Sequence, residues 1–192
     1  MVFVFDIDDT VSKTDEYSEK YISEFFVKNN MPYKKIADCT RFTEQKFDWD
    51  RETAQNWYIK FGDEMMLEFP CKDKSIEVIN QLYDAGHKII FATARANDWH
   101  TDPETVTRKW LEINNIKHHK LIIGRSDKEL ICEEENADIF VDDDLGIISR
   151  VALNPNLPKT KAFLATSNYN KELNVPEKAF RLNSFEELLK FL

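Results

Sequence analysis

Three carboxylates fall within four residues at Asp6, Asp8 and Asp9. Like charges this close repel strongly unless a cation joins them. An all-oxygen donor set suits a hard divalent ion, and Mg2+ takes one or two carboxylates together with water and a substrate phosphate. A second acidic run at Asp142, Asp143 and Asp144 could supply the other wall of such a site. An aspartate beside that ion can attack phosphorus and form an acyl phosphate, dividing one hard step into two. An acid two residues further on can protonate the leaving oxygen and later take a proton from water. A hydroxyl and a lysine nearby would hold the phosphoryl oxygens as charge shifts. Either acidic run alone could instead be solvated loop charge, the lesser alternative, and its position after a buried strand weighs against that.

Residues 2–6 (VFVFD) are a short apolar, β-prone run ending in an acid. That is the pattern of a buried parallel strand with Asp6 at its carboxyl end. Residues 88–93 (KIIFAT) predict a strand ending at Thr93, with Arg95 just beyond, and 138–142 (DIFVD) a strand ending at Asp142. Further strands are predicted at 120–124, 161–165 and 178–182, and helices at 75–85, 103–115, 127–135, 144–151 and 184–191. Gly86 is a good helix stop, and Asp102 followed by Pro103 a good helix start. The alternation predicts an α/β fold, a three-layer Rossmann-like core with a mainly parallel sheet and helices on both faces. Ligands of open α/β sheets lie at the carboxyl ends of strands. The acids and Thr93 should therefore point into one crevice.

Between the first strand and residue 74 the pattern changes. Residues 15–29 show helical spacing, with Tyr21, Ile22, Phe25 and Phe26 on one face. Residues 51–68 read as one helix, and aromatics crowd in at Phe42, Phe47, Trp49, Trp57, Tyr58, Phe61 and Phe69. The expectation is a helical insert over 12–73, packed on a core made of 1–11 and 74–192, with a hinge at 70–73.

DIDDT at 6–10, FATAR at 91–95 and IFVDDD at 139–144 resemble, in order, the first, second and fourth motifs of the haloacid dehalogenase-like hydrolase superfamily. The resemblance spans the whole chain. It implies a Mg2+ cofactor, a small helical cap, and hydrolysis through an aspartyl-phosphate. Asp6 would be the nucleophile and a metal ligand. Asp8 would be the general acid/base, with its backbone carbonyl on the metal. Thr93, Ala94 and Lys128 would bind phosphate. Asp143 would bind the metal directly, and Asp142 directly or through water. Asp9 and Thr10 would support the loop. Lys128 heads a helix before the fourth motif; Lys120 begins a strand and would sit at its wrong end. Asp144 departs from the usual acid pair, which leaves the register of that cluster open by one residue. Dehalogenases of the superfamily lack the second aspartate, so Asp8 implies phosphoryl transfer.

Residues 92–116 and 166–192 also look like nucleotidases of the 5′(3′)-deoxyribonucleotidase type. In that group a lysine follows an aspartate before the fourth motif, as Asp127 and Lys128 do here, and an arginine usually stands where this chain has Asp144. This resemblance implies a small phosphorylated metabolite, a nucleoside monophosphate, as substrate. Phe42, Trp49 and Trp57 would then stack the base, although the same aromatics suit the cap's own small core. Arg95 could reach the phosphate. The rival readings are a sugar-phosphate or other metabolite phosphatase, and a non-catalytic phosphate-ester-binding protein.

The bulk properties exclude other classes. A chain of 192 residues suits one domain of ordinary size. With 42% hydrophobic and 32% charged residues it reads as soluble and globular. The net charge of −9 disfavours nucleic-acid partners and anionic membrane surfaces. No run approaches the roughly 20 apolar residues of a membrane span. The start of the chain has no signal-peptide pattern. Cys39, Cys71 and Cys132 lack metal spacing and read as reduced thiols of a cytoplasmic protein. His87, His100, His118 and His119 lie outside the motifs and read as surface or loop groups, and Trp99 and Trp110 as helix packing.

Overall fold

The computed structural model describes residues 1–37, 40 and 43–192, with the backbone alone at 43 and 44. Phe42 and Cys39 lie outside the described residues. In chain order the elements are β1 (Val2–Phe5), α1 (Thr14–Lys28), α2 (Thr43–Phe47), α3 (Arg51–Trp57), a π-helical turn (Tyr58–Gly62), α4 (Asp63–Leu67) and α5 (Ser75–Asp84). Then follow β2 (Lys88–Ala92), α6 (Pro103–Ile113), β3 (Lys120–Ile122), α7 (Lys128–Glu135), β4 (Ile139–Asp142), α8 (Leu145–Ala152), β5 (Lys161–Ala165), β6 (Ala179–Leu182) and a closing 3-10 helix (Phe185–Phe191).

The six strands form one parallel sheet in the order β3-β2-β1-β4-β5-β6. Successive strand residues point to opposite faces, and both faces are apolar. Phe3, Phe5, Phe91, Val141 and Phe163 meet Val78, Ile79, Leu82, Trp110, Leu111 and Leu188 on one side. Val4, Ile90, Phe140, Ala162 and Leu164 meet Ile131, Cys132, Ile148 and Val151 of α7 and α8 on the other. This is the α/β sandwich that the alternation predicts.

From β1 the chain winds outward through β2 to β3, then returns to the opposite side of β1 with β4. The connections diverge at β1 and β4, which opens a crevice at their carboxyl ends. Phe5 pairs with Phe91 and with Val141, so Asp6, Ala92 and Asp142 come level at that edge.

Local signals hold at several ends. The Asp102 side chain accepts from the Thr105 amide at 3.1 Å to start α6. Gly86, with φ +84°, ends α5 in a left-handed conformation that favours glycine. Two expected helices differ. Residues 51–68 are not one α-helix, because the π-helical turn interrupts them and adds a residue to the winding. That extra residue brings Tyr58 and Asp63 against the loop after β2. A Cβ on Gly62 would stand 3.2 Å from the Tyr58 ring and in ordinary contact, 3.5 Å, with His100 Nδ1 of that loop. Residues 185–191 wind as a 3-10 helix, whose three-residue repeat puts the buried Phe185 and Leu188 on one side.

The insert joins the core through a two-stranded stem and through Met65, Met66 and Phe69, which are buried in the core cluster beside α6. Ser12 pairs antiparallel with Cys71. The Lys13 amide donates to the Pro70 carbonyl at 2.8 Å and the Lys72 amide to the Val11 carbonyl at 2.7 Å. Inside the insert Ile22, Phe26, Phe47 and Trp57 form their own cluster, with Phe25, Trp49, Tyr58 and Phe61 packed against it. Trp57 meets Phe25 edge-on at 4.9 Å and lies 5.6 Å from Trp49. Beneath them the buried Lys46 ammonium is held by Asp15 at 2.5 Å and Glu19 at 3.1 Å. Among the described residues no helix is long and apolar enough to cross a membrane.

Candidate active site

Asp6 stands one residue past β1 and is 8% exposed. Its amide donates to the Val141 carbonyl at 2.9 Å, which ties it to β4. Lys128, the first residue of α7, is fully enclosed, and its Nζ donates to Asp6 Oδ1 at 2.7 Å and to the Ala92 carbonyl. A charge this buried persists only with partners. Burial pushes the Lys128 ammonium toward losing its proton, but Asp6, Asp142 and Asp143 outweigh it and hold the pKa above the ordinary lysine value. Burial also raises the Asp6 carboxyl, more than Lys128 lowers it. Lys120 is elsewhere, paired with Glu135 at the amino end of β3.

Asp8 takes both arms of a guanidinium fork. Arg95 Nε donates to its Oδ2 at 2.8 Å and Nη2 to its Oδ1 at 2.7 Å, and Thr14 Oγ1 donates to Oδ1 at 2.7 Å. Such bidentate pairs are strong and fix geometry. Burial alone would raise the Asp8 carboxyl; the Arg95 charge and these bonds bring it below the usual range. Arg95 Nη1 donates to Thr107 Oγ1 at 3.0 Å. Arg95, expected at the phosphate, is thus engaged by Asp8 and α6. Thr93 is buried at the end of β2, its hydroxyl accepting from the Arg95 amide at 3.3 Å.

On the β4 side, Asp142 Oδ1 accepts from the Asp144 amide at 2.8 Å. Asp143 Oδ1 accepts from Thr10 Oγ1 at 3.1 Å, and its carbonyl from Asn170 Nδ2 at 2.9 Å. Asp144 instead caps α8, accepting from the Ile147 amide at 2.8 Å. Asp142 and Asp143 are therefore the two acids that line the cleft, while Asp144 belongs to the helix start. Asp9 adopts φ +52° and accepts from the Asp15 amide at 2.8 Å. Burial and the neighbouring Asp143 push its carboxyl well above the ordinary range.

These residues enclose a cleft of about 260 Å³ that Asp6, Asp8, Asp9, Thr93, Ala94, Arg95, Lys128, Asp142 and Asp143 share with Thr14, Trp99, His100, Ile147 and Tyr169. A larger hollow of about 370 Å³ adjoins it beyond Asp9, lined by mixed charges such as Lys13 and Asp73. Trp49 and Trp57, expected at the substrate, are not brought to the cleft. They are more favourably buried against each other and Phe26 than against a polar crevice. Trp99 and His100 go beyond their expectations. Trp99 lines the cleft as well as packing against Tyr58 and Arg51, and His100, a loop residue, is 8% exposed, with Nδ1 3.2 Å from Asp63 Oδ1. Burial, then the Arg95 charge, lowers the His100 pKa and keeps the imidazole neutral at neutral pH. Both lie in the loop that joins β2 to α6, at the sheet edge that the acids already mark. That position was the available signal, and it applies equally to Tyr169 after β5.

Cys71 and Cys132 are free thiols that burial pushes up to about 12, so neither is a nucleophile at neutral pH. Among the described residues no three His, Cys, Asp or Glu side chains form a ready-made metal cage. The Asp6 and Asp143 carboxylates, with Asp142 and the Asp8 carbonyl beside them, are a hard, all-oxygen set. It fits Mg2+, which keeps water and takes phosphate oxygens as its remaining ligands.

No protein-family model matches the chain, and no curated protein matches it by sequence. Solved structures do match. A predicted phosphatase from Clostridium acetobutylicum is 21% identical, with a TM-score of 0.64 over 99% of this chain and 96% of that one. The HAD-hydrolase YfnB from Bacillus subtilis, bound to magnesium, is 13% identical, with a TM-score of 0.65 over 100% and 97%. CbbY from Rhodobacter sphaeroides, in complex with phosphate, is 16% identical, with a TM-score of 0.62 over 97% and 95%. The likeness is one of fold, and the fold is that of haloacid dehalogenase-like hydrolases.

Proposed function

We propose that this chain is a magnesium-dependent phosphomonoester hydrolase that works through an aspartyl-phosphate on Asp6, with nucleoside monophosphates as substrates. The observation that carries it is the buried contact of Lys128 Nζ with Asp6 Oδ1, 2.7 Å, at the switch point of the sheet. A structural ion pair has no need of a cleft, further acids and a strand-end hydroxyl around it. The motif resemblance, and a fold shared with phosphatases, support the same reading.

Lys128 fixes the plane of the Asp6 carboxylate and leaves Oδ2 to attack phosphorus. The phosphoryl oxygens lie against Lys128, the Thr93 hydroxyl and the Ala94 backbone, which stabilise charge as it shifts. Held by Asp6, Asp143, Asp142 and the Asp8 carbonyl, Mg2+ would supply charge neutralisation and orientation. Asp8, a carboxylate at rest, takes a proton from the bound phosphomonoester monoanion, gives it to the leaving oxygen, then takes one from the hydrolytic water and passes it to the departing phosphate. As a carboxylate under Arg95 it stands ready for the first of these. Residues 12–73 serve as the cap, tied to the core by the stem, by the buried Met65, Met66 and Phe69, and by the Asp63 contact.

Phosphate release with Mg2+ from nucleoside 5′- and 3′-monophosphates, sugar phosphates and an aryl phosphate tests the proposal. Hydrolysis favouring nucleotides, and abolished by excess chelator, is the expected result. Hydrolysis of sugar phosphates alone would remove the nucleotide assignment, and turnover surviving in chelator would remove the metal.

A further inference from the structure

The proton transfers of the proposed reaction depend on where Asp8 stands, and one side chain holds it there. The Asp8 side chain is 34% exposed to the cleft, whereas the Arg95 side chain bonded to it is 2% exposed. The carboxylate therefore stands in front and the guanidinium behind it, in the body of the fold. Nε and Nη2 of Arg95 meet the two oxygens of Asp8 at 2.8 and 2.7 Å. The third nitrogen, Nη1, donates to the Thr107 hydroxyl at 3.0 Å. Thr107 is fully buried on α6 and is not among the residues that line the cleft. All three nitrogens thus have protein acceptors. An arginine that grips phosphate offers it a pair of parallel N–H groups at the crevice surface. Here Asp8 has taken such a pair.

A side chain that serves first as acid and then as base must reach two different oxygens in turn. A misplacement of 1 Å can cost about a hundredfold in rate. An aspartate on a loop turns freely about its own side-chain bonds, and the single hydroxyl of Thr14, at 2.7 Å from Oδ1, does not define a plane. The fork does, because both carboxylate oxygens are fixed at once. A lysine in its place would be a point charge and would leave that plane open.

We propose that Arg95 is a positioning residue for the general acid/base, holding Asp8 at the leaving oxygen with Thr107 as its brace, and that it is not a phosphate ligand. The inference rests on the phosphatase reading above and is independent of the choice of nucleotides as substrates. Its consequence is selectivity for the departing group. A weakly acidic alcohol leaves phosphorus only as a proton reaches its oxygen, whereas the anion of an acidic phenol leaves without one. A clamped Asp8 brings alcohol esters within reach; a loose one leaves the esters of acidic phenols as the better substrates.

The test is steady-state kinetics of the full chain with Mg2+ on phenyl phosphate and p-nitrophenyl phosphate. These esters are alike in shape and differ in how far the departing oxygen depends on a proton. In Arg95→Met, kcat/KM should fall about a hundredfold for phenyl phosphate, within the range of general acid–base catalysis, and about tenfold or less for p-nitrophenyl phosphate. Arg95→Lys keeps the buried charge and should keep the parental circular-dichroism spectrum, yet shift the ratio of the two esters the same way by about fivefold or more. Thr107→Val should shift that ratio about threefold, the scale of one neutral hydrogen bond. Equal losses for both esters in Arg95→Met, with KM raised for each, would make Arg95 a phosphate ligand and overturn the inference while the phosphatase reading stands. A parental ratio in Arg95→Lys would overturn it as well, and that variant decides if Arg95→Met does not fold. A parental ratio in Thr107→Val would remove the brace. No release of p-nitrophenol by the unmodified protein would sink the phosphatase reading and this inference with it.

Discussion

At the carboxyl edge of the sheet, Asp6, Lys128, Asp142 and Asp143 are buried as charges; in the insert, Phe26, Phe47 and Trp57 are buried as rings. The rings gain from every neighbour, so their cluster is robust and tolerant of geometry. The charges are retained only where each has its counterpart, and here the tally is uneven. Asp6, Asp8, Asp9, Asp142 and Asp143 line the cleft against Arg95 and Lys128, five carboxylates to two cations. Apolar burial holds the insert together, whereas the cleft holds a surplus of like charge that a divalent ion would relieve. The comparison teaches where to look for chemistry: in the region that packing alone would not have built.

If that division is right, changes in the cleft should show in turnover and changes in the insert in stability. The largest effect is expected for Asp6→Asn, a fall in phosphate release of about four orders of magnitude or more, as for removal of other nucleophiles. The circular-dichroism spectrum should stay as it is; near-normal activity would take the nucleophile role from Asp6. Next comes Trp57→Ala, which should cost about 3–5 kcal/mol by opening a cavity in the ring cluster. Denaturant unfolding would measure it. A stable variant that had lost its nucleotide preference would mean that Trp57 reaches substrate after all. Lys46→Met should cost about 3 kcal/mol, because it strands Asp15 and Glu19 beside a buried apolar group.

The smallest effect tests the outer surface, where neither chemistry applies. Lys120 and Lys88 hold the Glu135 carboxyl below its ordinary value. A depressed carboxylate stabilises the fold above its unfolded pKa and loses that contribution as pH falls through the folded one. Glu135→Gln should therefore cost roughly 0.5–1 kcal/mol at neutral pH. The difference from the parent should vanish in thermal melts below the usual carboxylate range; a constant difference down to strong acid would contradict the pairing.

The parts of the site that were legible are those written locally. Apolar runs ending in acids are short, contiguous signals, and they put Asp6, Thr93 and Asp142 at one edge without any knowledge of tertiary contacts. Lys128 was legible for the same reason, as a helix start. Asp144 could have been read as one too, since an aspartate before an apolar helical run is an N-cap pattern. The π-helical turn was not legible, because residues 51–68 keep a helical period while the extra residue answers to the loop opposite. The division of labour among aromatics was also hidden. A stripe of Phe and Trp looks the same whether it faces its own core or a ligand. Loop residues such as Trp99 and His100 have no periodicity to betray them.

The stem has a mechanical consequence. Its two rungs, at 2.8 and 2.7 Å, are short hydrogen bonds close to the core. The contacts on the far side of the insert, Asp63 Oδ1 to His100 at 3.2 Å and Asp63 Oδ2 to the Asp102 amide at 3.3 Å, are longer and weaker. Between these two sets of contacts Met65, Met66 and Phe69 of the same segment are buried in the core cluster beside α6, and the Trp110 indole donates to the Phe69 carbonyl at 2.9 Å. The insert is thus anchored by packing as well as by its stem, and the amides of Lys13 and Lys72 should be slow to exchange with the surrounding water.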